Sequence, residues 1–117
     1  RRLLSGQPCR IFGDGHQTRD YVYVADVVRA VLLALDRRAT GIFNVGTGIE
    51  TSVLELEAAC RSIAGGGPEP VLEPARAGEL QRSALDPTRA SAVLGFTAKT
   101  ALADGLAATW DWARAAA

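Results

Sequence analysis

Ile11 to Asp26 reads Ile-Phe-Gly-Asp-Gly-His-Gln-Thr-Arg-Asp-Tyr-Val-Tyr-Val-Ala-Asp, and the fold turns on how this stretch is read. Two short β-prone runs, Arg10 to Phe12 and Asp20 to Val24, flank Asp14-Gly15, a dipeptide that readily takes the positive φ angles of a tight turn. The expectation is a strand, a hairpin turn and a second strand. Arg19 stands at the head of the second run, where a guanidinium fork can reach a phosphate while the strands fix its backbone. The same arginine also fits a surface ion pair with a neighbour such as Asp20, worth under about 1 kcal/mol. His16 falls at the turn tip with no second ligand-type residue at metal spacing, which predicts an exposed side chain.

Toward the N-terminus, Arg1 to Gly6 has helical composition and stops at Gly6 with Pro8 beyond, so the chain reads as starting in mid-helix. Toward the C-terminus, Val24, Val27, Val28, Val31, Leu32 and Leu35 recur at helical spacing and form one apolar face, with Asp26 in the first turn and Gly41 as a stop. Gly41 to Val45 is a short β-prone run. Ser52-Val53-Leu54-Glu55 is a capping box opening a second helix toward Ala64, and Gly65-Gly66-Gly67-Pro68 ends it. Glu69 to Glu73 fits an edge strand because Pro70 and Pro74 bracket it. A loop carrying Arg76, Gly78, Glu79 and Arg82 follows. Asp86-Pro87 starts a third helix that stops at Gly95, and Thr100 is placed to cap a fourth, with Leu102, Leu106, Trp110 and Ala113 on one face. Trp110 and Trp112 point to different sides, so one is expected to pack inward and the other to face outward.

A chain of 117 residues with no internal linker is one domain, residues 1–117. Its 13 basic and 13 acidic residues balance without long runs of either sign, which argues against a nucleic-acid partner. No apolar run approaches the ~20 residues of a membrane span, so no membrane partner is expected. Cys9 and Cys60 are too few for a disulfide framework and fit the reducing cytoplasm.

Gly46-Thr47-Gly48 invites a dinucleotide-loop reading, but Thr51 stands where the third glycine of that fingerprint belongs. The better reading is a tight turn that brings backbone N–H groups and Val53 near whatever the adjacent loops bind. Arg76 and Glu79 frame the small pair Ala77-Gly78. An arginine there can pair with a diphosphate and a carboxylate can accept from ribose hydroxyls, although such a pair is also ordinary in a solvated loop.

Taken together, the Ile11-to-Asp26 stretch, Gly41-Ile42-Phe43-Asn44-Val45-Gly46-Thr47-Gly48, Thr51-Ser52-Val53, Arg76-Ala77-Gly78-Glu79 and the helix near Trp112 resemble the nucleotide-sugar epimerase/dehydratase family. These are the extended short-chain dehydrogenases, of which the UDP-glucose 4-epimerase type is nearest. The similarity spans nearly the whole chain but only the last third or so of such an enzyme. It implies an α/β fold: a small substrate-binding lobe with short strands, a β-hairpin and about four helices, lacking the N-terminal Rossmann fold. Carried over residue by residue, it implies that Arg19 and Arg76 clamp a diphosphate and that Glu79 holds the ribose. It puts Tyr21 beside the nucleotide, and Phe12 and Val53 at the edge of the base.

The same resemblance implies NAD in the full-length parent and none bound by this chain. Catalysis in the family rests on a Tyr-x-x-x-Lys pair, and the only lysine here, Lys99, has Gly95 four residues before it. The catalytic pair and the NAD fold are therefore expected upstream of residue 1. The resulting expectation is the UDP-sugar-binding portion of an NAD-dependent 4-epimerase, an isomerase of carbohydrate metabolism, inactive by itself and homo-oligomeric. The alternatives are the same lobe of a dTDP-hexose 4,6-dehydratase or a nucleotide-sugar reductase, or a stand-alone non-catalytic ligand-binding or interaction module.

Overall fold

The computed structural model of the chain describes residues 1–116. It is α/β, with four short strands and four α-helices after a single 3₁₀ turn at Leu3–Ser5. That turn closes on Gly6, whose backbone is left-handed and whose N–H donates to the Leu3 carbonyl, the helix stop that the composition predicts. Strand β1 (Arg10–Phe12) runs parallel to β4 (Val71–Glu73), with Ile11 opposite Leu72. Strand β2 (Thr18–Arg19) runs antiparallel to β3 (Thr51–Ser52).

The Asp14-Gly15 turn forms, but its two flanks join different sheets and the expected hairpin ladder does not exist. Competition for backbone groups explains this. Gln17, itself buried, donates from Nε2 to the Phe12 carbonyl at 2.8 Å. The Gly15 and Gln17 carbonyls accept from Leu54 and Val53, the first amides of helix α2 (Val53–Ile63). The turn is therefore pressed under a helix N-terminus. Gly15 has φ 78°, and a Cβ there would stand 2.6 Å from the Leu54 side chain. The second flank also pairs earlier than expected, at Thr18–Arg19 instead of Asp20 to Val24.

Helix α2 opens on the full capping box, with Ser52 and Glu55 each bonding the other's backbone N–H. Helix α3 (Thr88–Leu94) begins after Asp86, whose carboxylate accepts from both the amide and the hydroxyl of Thr88, and it ends on left-handed Gly95. Helix α4 (Leu102–Ala115) is capped differently from the expectation. Its N-cap is Ala101, with no side-chain cap among the described residues, while the Thr100 amide and hydroxyl are both turned to the Asp26 carboxylate, the amide at 2.9 Å. Gly41 to Val45 makes no ladder among the described residues, and Ile42 stands 85% exposed.

Helix α1 (Val24–Asp36) presents its apolar stripe outward. Val24 is 65% exposed and Leu35 68%, with Val28, Val31 and Leu32 between them also more than half exposed. The inward face is Asp26, Ala30, Leu33 and Ala34, which meets Ala90 and Leu94 of α3 and Phe96 in the main core. Buried Asp26 ties α1 to the approach to α4, accepting from the Lys99 and Thr100 amides and pairing with Arg29 at 2.6 Å. Arg29 in turn lies over the Phe96 ring at 5.1 Å.

The molecule is a slab of 47 × 35 × 18 Å with a radius of gyration of 16.4 Å, against about 13 Å for a compact chain of this length. Its surface of 7723 Å² likewise exceeds the roughly 6,100 Å² of a compact monomer of its mass. A thin layer with one small core leaves much apolar area in water. No helix among the described residues is long and apolar enough to cross a membrane.

Candidate functional site

Parallel strands β1 and β4 end together at Phe12 and Glu73, and the loops leaving their carboxyl ends diverge around a cavity of about 120 Å³. Such crevices are where open α/β sheets bind ligands. Phe12, Asp14 and Gln17 line it from one side, and Arg76, Glu79 and Gln81 from the other. The Gly13 N–H donates to the Glu73 carbonyl at 2.9 Å, which extends the ladder by one bond and fixes where the two loops part.

Four of the six residues singled out from the sequence meet here. The Arg76 guanidinium stacks 3.9 Å from the centroid of the Phe12 ring, so a cation and an aromatic face share the cavity mouth. Glu79 approaches Arg19 at 3.6 Å. Arg19 Nη1 donates to the Thr18 and Leu80 carbonyls at 2.7 and 2.8 Å, which holds the guanidinium against the loop that carries Glu79. The alternative pairing of Arg19 with Asp20 is not made, because the Asp20 carboxylate is engaged elsewhere.

Val53 is one step removed from the cavity wall. Its amide donates to the Gln17 carbonyl at 3.1 Å, and Gln17 lines the cavity. Tyr21 lies apart from this cluster. With Tyr23 it lines a second cavity of about 160 Å³ against Leu56 and Gly105, and burial pushes its phenol pKa up despite the opposing field of Arg19. Val22, between the two tyrosines, lines the same cavity, and the run carries no strand pairing among the described residues. His16 is exposed, and Trp112 is exposed while Trp110 is half-buried.

The Gly46-Thr47-Gly48 turn does cradle an anion, and the anion is the Asp20 carboxylate. It accepts from the Thr47 amide at 2.9 Å, the Thr47 hydroxyl at 2.5 Å and the Gly48 amide at 2.9 Å. Burial would raise the Asp20 pKa, but these donors and the Leu85 amide outweigh it and hold it below the usual carboxylate range. A side chain at position 46 would meet Asp20 Oδ2 at 2.6 Å, which accounts for the glycine. The turn's donors are spent inside the chain, so these residues do not fit the pyrophosphate of a dinucleotide cofactor.

Sequence reading gave to Asp20 only a pairing with Arg19, and no role to Gln17, Glu50 or Arg82. The last two form an ion pair beside β2 and β3. Glu50 also accepts from the Thr18 hydroxyl at 2.6 Å. These partners are remote in sequence, and no local pattern signals them.

Residues 1–46 match the NAD dependent epimerase/dehydratase family. A UDP-glucose 4-epimerase of Mycolicibacterium smegmatis is 50% identical over 96% of this chain, and a dTDP-glucose 4,6-dehydratase of Streptomyces niveus is 36% identical over 96%. The chain spans about a third of the length of these curated relatives, 36% and 34% respectively. A crystal structure of UDP-glucose 4-epimerase with UDP-glucose from Thermotoga maritima superposes with a TM-score of 0.91 at 44% identity. That match covers 98% of this chain and 37% of that one. In sequence and in fold the chain resembles a segment of an NAD-dependent epimerase/dehydratase.

Proposed function

From that resemblance as premise, we propose that residues 1–117 are the nucleotide-sugar-binding lobe of an NAD-dependent epimerase or dehydratase, holding the UDP part of the substrate. The observation that carries the reading is the convergence of Phe12, Arg76, Glu79 and Arg19 at the carboxyl ends of β1 and β4. The roles follow from the chemistry. The Arg76 fork pairs with diphosphate oxygens, joined by the Arg19 Nε and Nη2 donors that the Thr18 and Leu80 carbonyls leave over, Glu79 accepts from ribose hydroxyls, and Phe12, bordered through Gln17 by Val53, offers an aromatic wall to the base. Tyr21, which the resemblance puts beside the nucleotide, lines the separate cavity against Leu56 and Gly105. The 4-epimerase reading is favoured over the dehydratase by the higher identity of the first relative, 50% against 36%.

In this reading the chain supplies neither the NAD site nor the proton-transfer pair, and both belong to the longer parent. The parent works in the cytoplasm, consistent with the free thiols Cys9 and Cys60. Calorimetric titration with UDP tests the binding role, and assay of UDP-glucose with added NAD tests the rest. The expected outcome is UDP binding without turnover. Turnover by the chain, or no UDP binding at millimolar ligand, sinks the respective half.

The outward apolar face of α1 and the unpaired Gly41-to-Val45 run support a further part of the reading. In the parent they pack on the rest of the enzyme, and in the chain alone they drive self-association. Sedimentation velocity is expected to show species larger than the monomer as concentration rises. A strictly monomeric profile at high concentration contradicts this.

A further inference from the structure

The loop from Pro74 to Leu85 carries two site residues, yet its two halves are held very differently. Around Arg76, Ala77 and Gly78 it is exposed, and no atom lies within 4 Å of where a Gly78 side chain would start. From Leu80 onward it is tied down. Leu80 accepts from Arg19 at 2.8 Å, Gln81 accepts from the Thr18 amide at 2.9 Å, and Arg82 forms a two-pronged pair with Glu50 through Nε at 3.1 Å and through Nη2. Glu79 is the first residue on the tied side.

We propose that Glu50 and Arg82 are positioning residues that dock the 79–82 segment on strands β2 and β3 and so fix where Glu79 and Arg19 meet. Glu50 suits this work because one carboxylate gathers three donors from separate elements, Arg82 Nε and Nη2 from the loop and the Thr18 hydroxyl from β2. Those donors, Arg82 first, lower its pKa to about 2, so the pair stays charged at any working pH. Arg82 is itself 78% exposed, so removing it takes nothing from the core. An exposed pair adds little to global stability, and its consequence here is local: the docking of one segment. That docking matters for the ligand only on the reading under Proposed function.

The experiment is amide hydrogen exchange on the full chain without ligand, comparing wild type with Glu50→Gln, Arg82→Ala and Arg82→Lys, followed by UDP titration of each. Glu50→Gln and Arg82→Ala are expected to speed exchange of the Thr18 amide, which donates to the Gln81 carbonyl, roughly three- to tenfold while α1 and α2 stay unchanged. The two changes combined should add nothing further, and Arg82→Lys should recover part of the protection. UDP affinity should fall roughly threefold in parallel, with the same partial rescue. Exchange at Thr18 that none of the variants alters overturns the proposal, as does faster exchange spread over the whole chain. Because the exchange arm needs no ligand, a wild type that shows local protection but does not bind UDP would refute the nucleotide reading and leave the docking role supported.

Discussion

Replacing Arg19 or Arg76 by alanine is expected to weaken UDP binding roughly tenfold to a hundredfold each, since a charge-assisted hydrogen bond contributes about 1.5 to 3 kcal/mol. The two losses should not be equal. Arg76 rests on the Phe12 ring at 3.9 Å and is otherwise exposed, so its removal takes away one fork and a stacking partner. Arg19 also holds the Leu80 carbonyl and faces Glu79, so Arg19→Ala is expected to loosen the loop that carries Glu79 and to cost more. Arg76→Lys should fall between wild type and alanine, because it keeps the charge and loses the planar fork. Neither fork is assigned to the hexose, so UDP and UDP-glucose should lose equally. Calorimetric titration of these variants is the measurement, and unchanged affinity in both alanine variants leaves Arg19 as an ion-paired surface arginine.

The second large effect is on stability. Asp26→Ala removes a buried carboxylate that accepts from the Lys99 and Thr100 amides and pairs with Arg29, and it should cost about 3 kcal/mol in a urea melt. That is a large share of what a small domain has. Burial alone would raise the Asp26 pKa, but Arg29, the Thr100 amide and hydroxyl and the Lys99 amide together lower it from 3.8 to about 2. A folded pKa below the unfolded value means that the contribution is complete above 3.8 and is lost as pH falls through about 2. Wild type and Asp26→Asn melts should therefore converge across that window. Parallel curves down to pH 2 would place the stability elsewhere.

What could be read from sequence is what is decided within one or two turns of chain. The Ser52/Glu55 capping box, the Gly6 and Gly95 stops and the start of α1 at Val24 all depend on residues three or four apart, and all are present. Non-local pairing was not legible. Asp14-Gly15 announces a reversal, yet it carries no information that β1 will pair with Val71–Glu73 or β2 with Thr51–Ser52. Periodicity likewise marks the valine and leucine stripe of α1 without saying what covers it, and within this chain the opposite face packs inward. Asp26 reads as a dipole complement, and only its approach to Lys99 and Thr100 shows the lock. At the site, Phe12, Arg76 and Glu79 were identified through resemblance, because a strand-end phenylalanine and two charged loop residues are each ordinary taken alone. Asp20, Glu50 and Arg82 escaped because their partners lie about 30 residues away, beyond the reach of any local pattern.

The parallel ladder between β1 and β4 joins positions about sixty residues apart, with α1 and α2 enclosed in the loop between them. Closing a loop of that length costs roughly 4 kcal/mol of chain entropy before the ladder returns anything, so this pairing belongs late in folding. Until it forms, Phe12 and Arg76 sit on unconnected ends and the crevice does not exist. If the proposed nucleotide binds in that crevice, it is expected to act after the folding barrier, slowing unfolding while leaving the folding rate nearly untouched. Saturation of the crevice would then be read in how slowly the native chain unfolds.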